Sequence, residues 1–205
     1  PTTHNFGDVA LGGSAEQIFT ITNGGFITAE GISGGGLEAP YTYKGGAYPG
    51  GAGDCSDTLA GGANCTIEVV FAPTEGGVQT DDIILDYDNG VTGVQTLVSL
   101  TGDGKTPATL SVSGLNPYNY GTIVNGNIAI QTFTITNDGE VDATNLGANA
   151  FTGDYQFEGG GAFPGATGTC ILAGTLAPTI SCTVKVEFIP SIAGFQGHNF
   201  EMTYN

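Results

Sequence analysis

Residues Gln17-Ile-Phe-Thr-Ile-Thr-Asn23 return as Gln131-Thr-Phe-Thr-Ile-Thr-Asn137, six of seven identical at an offset of 114. In the first copy Phe19 and Ile21 face one side of an extended chain, and Ile18, Thr20 and Thr22 face the other. In the second copy Phe133 and Ile135 oppose Thr132, Thr134 and Thr136. A period of two with one apolar face is the pattern of a half-buried β-strand.

The match extends outward in both directions. Phe6-Gly7 corresponds to Tyr120-Gly121, Tyr41-Thr-Tyr43 to Tyr155-Gln-Phe157, and Tyr48-Pro-Gly50 to Phe163-Pro-Gly165. Cys65-Thr-Ile-Glu-Val-Val-Phe-Ala-Pro73 corresponds to Cys182-Thr-Val-Lys-Val-Glu-Phe-Ile-Pro190, at an offset of 117. Conserved order with little drift predicts two copies of one unit, each the size of a single β-sandwich. Ile67, Val69 and Phe71 alternate with polar neighbours, as do Val184, Val186 and Phe188; Ile83, Leu85 and Tyr87 match Phe200, Met202 and Tyr204. Turn signals such as Asn23-Gly24, Asn89-Gly90 and Asp138-Gly139 separate these runs. The expected fold is all-β: two tandem immunoglobulin-like β-sandwiches over residues 1–104 and 105–205. Gly102-Asp-Gly-Lys-Thr-Pro107 would join them as a short, stiff interdomain turn.

Asn5-Phe-Gly-Asp-Val9, the Gln17–Asn23 strand, a Gly-rich stretch, Cys55, Cys65, Phe71-Ala-Pro73 and Leu100-Thr-Gly102 together resemble the choice-of-anchor D and abnormal-spindle–Hydin (ASH-like) immunoglobulin-like repeats. The resemblance implies sandwich modules of bacterial surface or secreted proteins, which space, display or adhere. It implies no catalytic residues.

Four cysteines allow three pairings. The repeat selects Cys55–Cys65 and Cys170–Cys182, one clamp per copy. Zinc is the competing use of cysteine, but His4 and His198 do not occupy equivalent positions. Disulfides imply an oxidising compartment, outside the cell or at its surface.

The chain carries 3 Lys+Arg against 20 Asp+Glu, a net charge of −17. Phosphate contacts need clustered cations, so nucleic-acid partners are not expected. No run of 18 apolar residues predicts membrane insertion. Pro1, without a preceding Met, reads as the start of a mature or clipped product.

Ser99–Thr106 ends like a phosphate-binding loop, but Pro107 stands where a helix would have to propagate, so an interdomain turn is expected instead. The histidines fall in no nucleophile-elbow context, and no enzyme activity is expected. Asp86 and Asp88 beside a turn offer hard oxygens to Ca²⁺, with Asp54 and Asp57 a weaker pair; otherwise no cofactor is expected. Tyr48 and Phe163 sit in Gly-rich loops, where an aromatic ring can stack on a glycan or anchor a surface protein.

The ends of the two copies differ. Copy 1 closes with Val94–Leu100, for which copy 2 has no counterpart after Tyr204-Asn205. Copy 2 opens with Ala108-Thr-Leu-Ser-Val-Ser113, which copy 1 lacks. The edge at Phe200, Met202 and Tyr204 is therefore expected to accept a strand, from other copies of the chain or from neighbouring repeats. The expected function is structural: a stalk, filament subunit or adhesin segment, possible head-to-tail assembly included. The alternatives are a glycan- or protein-binding module and a non-catalytic accessory region of a secreted hydrolase.

Overall fold

A computed structural model describes residues 2–205. The chain divides into two compact units, Pro1–Thr106 and Pro107–Asn205. The first holds β1 (Thr2–Ala10), β2 (Ala15–Thr22), β3 (Ala29–Gly35), β4 (Tyr41–Tyr43), β5 (Thr58–Leu59), β6 (Asn64–Phe71), β7 (Gly77–Asp88) and β8 (Gly93–Lys105). The second holds β9 (Leu110–Val112), β10 (Ala129–Asn137), β11 (Gly147–Ala148), β12 (Tyr155–Phe157), β13 (Ser181–Phe188) and β14 (Met202–Thr203). Among the described residues the only helical element is one 3-10 turn at Glu158–Gly160. The fold is all-β, of immunoglobulin-like sandwich type.

In unit 1 a five-stranded sheet, β1-β8-β7-β3-β5, faces a three-stranded sheet, β2-β6-β4. The core between them takes Ile67, Val69 and Phe71 from β6, Ile83 and Leu85 from β7, and Leu100 from β8. Burying each such side chain contributes about 1.5–3 kcal/mol. In unit 2 the sheet β12-β13-β10-β9 carries Phe133, Ile135, Val184 and Val186 inward, against only the two-stranded sheet β11-β14. The central ladders agree pair for pair. β2 and β6 run from Ala15↔Phe71 to Thr22↔Asn64; β10 and β13 run from Ala129↔Phe188 to Thr136↔Ser181.

The structure corrects the reading of Gly102–Lys105 as a turn. These residues are the end of β8, paired with β7 on one side and in parallel with β1 on the other. A Cβ on Gly102 would lie 2.5 Å from Cε1 of Phe71, so glycine is there to admit the ring. The units therefore part after Thr106, two residues beyond the expected boundary.

Each copy of the opening heptapeptide ends on an asparagine that ties loops to the sheet. Asn23 donates from Nδ2 to the carbonyls of Ile27 (2.9 Å) and Leu59 (2.8 Å) and accepts from Gly25 N–H (3.0 Å). Asn137 donates to Val141 (2.8 Å) and Leu176 (2.9 Å) and accepts from Gly139 (3.0 Å) and Thr109 (3.2 Å). Asn137 is fully buried. Truncating it strands backbone groups away from water, each at about 1–3 kcal/mol. Asn137→Ala is expected to destabilise unit 2 by about 2–4 kcal/mol, and Asn23→Ala, on a less buried site, to cost unit 1 less. Urea denaturation of the two variants checks the order.

An aromatic column closes one end of each core. Tyr41 stacks on Phe71 at 4.8 Å and 27°, and Tyr155 on Phe188 at 4.8 Å and 26°. Burial, with the negative charge of Asp81 adding to it, pushes the Tyr41 phenol up to about 12 from 10.0. Burial, with Tyr48 beside it, pushes Tyr43 up to about 12 as well. The fold thus keeps protons that the unfolded chain gives up from pH 10.0, so stability should fall as pH rises between 10.0 and about 12. Unfolding midpoints across that window should decline, and the decline should be shallower in Tyr41→Phe.

Candidate functional site

The sheet edge at the end of unit 2 is built from two extended segments with an empty strand position between them. The first is Tyr118-Asn-Tyr-Gly121, the counterpart of His4–Gly7 in β1. The Asn119 side chain accepts from Gly121 N–H at 2.7 Å, as Asn5 does from Gly7 at 2.8 Å. Tyr118 meets Tyr120 and Phe133 edge-on at 5.1 and 5.6 Å; His4 meets Phe6 and Phe19 edge-on at 4.8 and 5.2 Å. Tyr120 lies 5.5 Å from Phe188, and Phe6 lies 5.8 Å from Phe71.

The second segment is Phe195–Tyr204, the counterpart of β7. The Tyr155 hydroxyl donates to the Gln196 carbonyl at 3.1 Å, as Tyr41 does to Gln79 at 2.9 Å. Gly147↔Thr203 and Ala148↔Met202 repeat Ser33↔Asp86 and Gly34↔Leu85. In unit 1 the space between these two segments holds β8. In unit 2 no strand among the described residues occupies it. β14 is consequently two residues long, where β7 has twelve. Phe200 and Met202 are half-buried, where Ile83 and Leu85 are buried, and Tyr204 is 38 % exposed.

Unit 1 has a different open edge. β9 pairs with β10 through Ile135↔Val112 and Asn137↔Leu110, but nothing among the described residues pairs with that side of β2. A cleft of about 390 Å³ lies there, lined by Ile21, Phe26, Ile32, Leu59, Leu85 and Tyr87 among others.

The cysteines form Cys55–Cys65 and Cys170–Cys182, with Cα–Cα distances of 4.8 and 4.9 Å. No free cysteine remains. Each bridge fastens a loop to a central strand. Asp54 and Cys55 N–H donate to the Thr66 carbonyl at 3.0 and 3.1 Å; Thr169 and Cys170 N–H donate to Thr183 at 2.9 and 3.1 Å. Asp54 is held below the usual carboxylate range by bonds from the Thr66 hydroxyl and N–H. Glu158 is likewise held low, first by the Thr167 hydroxyl and also by Lys185.

The candidate binding aromatics turn inward. Phe163 is 7 % exposed and lies edge-on to Phe157 at 5.9 Å. Tyr48 meets Tyr43 edge-on at 5.5 Å, and its buried hydroxyl has no partner. Rings committed to the core do not offer a face for stacking on a sugar, which corrects the reading of these loops as displayed aromatics. Asp86 accepts from the Gln95 amide at 2.6 Å, and Asp88 from Gly90 N–H at 2.8 Å. Ca²⁺ takes six to eight oxygens, and no group of three or more metal-ligating side chains occurs among the described residues. The histidines are packing residues. His4 belongs to the aromatic column, and His198 lies 3.2 Å from the Thr152 hydroxyl and 5.2 Å from the Phe151 ring.

No protein-family model matches the chain, and no curated protein matches it in sequence. Similar solved structures include the ASH/PapD-like domain 7 of human CEP192, at 17% identity and TM-score 0.39, covering 52% of this chain and 82% of that one. The secreted serine protease VesC of Vibrio cholerae is similar at 14% identity and TM-score 0.38, over 98% of this chain and 49% of VesC. The class 5 fimbriae chaperone CfaA is similar at 10% identity and TM-score 0.26, over 96% of this chain and 94% of CfaA. The fold assignment rests on the ladders above, not on these likenesses.

Opening either bridge frees a loop in the unfolded chain, so Cys55→Ser/Cys65→Ser and Cys170→Ser/Cys182→Ser should each cost about 2–3 kcal/mol. The loss should fall on the unit that carries the change, as read by denaturant melts followed by hydrogen exchange.

Proposed function

We propose that the chain is a structural segment of an extracellular or cell-surface assembly: a stalk, filament subunit or adhesin segment, not an enzyme. The observation that carries this reading is the pair of dissimilar open edges. Each unit is closed everywhere except at one strand position, and the position differs between the units. An unpaired edge presents a row of N–H and C=O groups, and another strand satisfies them best. Such contacts join unlike surfaces, so they continue into linear assemblies instead of closing. The two disulfides support an oxidising location, because they persist outside the reducing cytosol. Partners are then other copies of the chain or neighbouring repeats.

A net charge of −17 opposes close approach of copies, and salt relieves it as the Debye length shrinks from about 30 Å at 0.01 M to about 3 Å at 1 M. Electron microscopy and sedimentation should show linear multimers that lengthen with salt and protein concentration. Monomers under every condition would remove the self-assembling form of this reading.

A further inference from the structure

We infer that unit 2 accepts one inserted β-strand, supplied by a separate neighbouring polypeptide, whose inward positions read apolar, apolar, Gly, Gly. This builds on the structural reading above and adds the register and chemistry of the partner.

Unit 1 shows what fills the position. β8 lies parallel to β1 and antiparallel to β7, with Val98, Leu100, Gly102 and Gly104 directed inward and Leu97 45 % exposed. Both walls of the same position exist in unit 2, held by equivalent aromatic contacts and an equivalent tyrosine–carbonyl bond. The backbone groups that would bond to the insert already lie in extended segments. An incoming strand would run parallel to Tyr118–Ile123 and antiparallel to Phe195–Tyr204.

The register follows from one ring. Phe71 admits β8 only where β8 carries Gly102. Phe188 is the counterpart of Phe71, opposite Ala129 on one side and Tyr155 on the other. The inserted strand must place glycine over Phe188. The next inward residue must also be small, because a Cβ on Gly104 would come within 3.0 Å of the Pro73 side chain, and Pro190 holds the equivalent buried place. The two apolar residues before the glycines would then cover Phe200 and Met202. A second copy is not the natural donor, because its own β8 is already paired on both sides.

The test is a peptide with the sequence of Gly93–Lys105, added to the full chain. It should bind one to one and slow amide exchange across Tyr118–Ile123 and Asn199–Tyr204 by at least about tenfold. The peptide carrying Gly102→Val should bind at least about tenfold more weakly through overpacking. The Leu97→Thr peptide, altered on the outer face, should stay within about twofold. A chain carrying Phe188→Leu should recover part of the affinity for the Gly102→Val peptide.

The inference is overturned by absence of binding, by equal binding of the Gly102→Val peptide, or by protection confined to unit 1. Dimers that form without peptide and resist it would put a second copy's strand in the position and also overturn it. Peptide binding by a chain that never self-assembles would support the inference while removing the filament reading. Multimers that the peptide neither binds nor shortens would do the reverse.

Discussion

A β-strand has two edges, and every N–H and C=O along them must find a partner or face water. This requirement organises the whole chain. β2 and β10 meet it on one side through β6 and β13, with the same register in each unit. On their other side they diverge, since β9 covers part of β10 and no counterpart covers β2. β7 meets the requirement with β8, whereas its counterpart in unit 2 keeps only a two-residue ladder. The open positions, the exposed Phe195 ring (98 % exposed) and the half-buried Phe200 all descend from this one accounting.

Side chains decide how closely the strands can meet. The Tyr41–Phe71 stack occupies the space beside β8, and a glycine in β8 is the geometric answer to that ring. Asn23 and Asn137 supply hydrogen bonds to loop carbonyls that no ladder reaches. The disulfides then pin the loops that lead into the central strands. Ring, asparagine and bridge recur in both units, so both cores keep the same plan despite unequal strand numbers.

Much of this could be read from the residues. The alternation in Gln17–Asn23, recurring in Gln131–Asn137, identified strands because period two admits no helix. The cysteine pairing followed from equivalence of position. The unequal ends were visible because Val94–Leu100 and Ala108–Ser113 have no counterparts. Gly102–Lys105 misled because glycine is permissive, and its use for close packing cannot be told from its use in a turn without knowing where Phe71 lies. Phe163 misled because an aromatic before Pro-Gly looks like a displayed loop residue, while the loop folds its ring back onto Phe157. The asparagine hubs were missed for a related reason: strand alternation says which face is apolar but not which polar end is buried. The signal available was their identity, since Asn closed both heptapeptides.

One exchange of charge between the units has a further consequence. Lys44 lies 3.1 Å from Glu68, while at the equivalent places Glu158 lies 3.8 Å from Lys185. Tandem domains so alike risk trading strands during folding. A hybrid sheet joining β4 to β13 would set Lys44 against Lys185, and one joining β12 to β6 would set Glu158 against Glu68. Each half of the polypeptide thereby recognises its own strands by polarity, and mispaired intermediates carry a repulsion that correctly sorted ones do not.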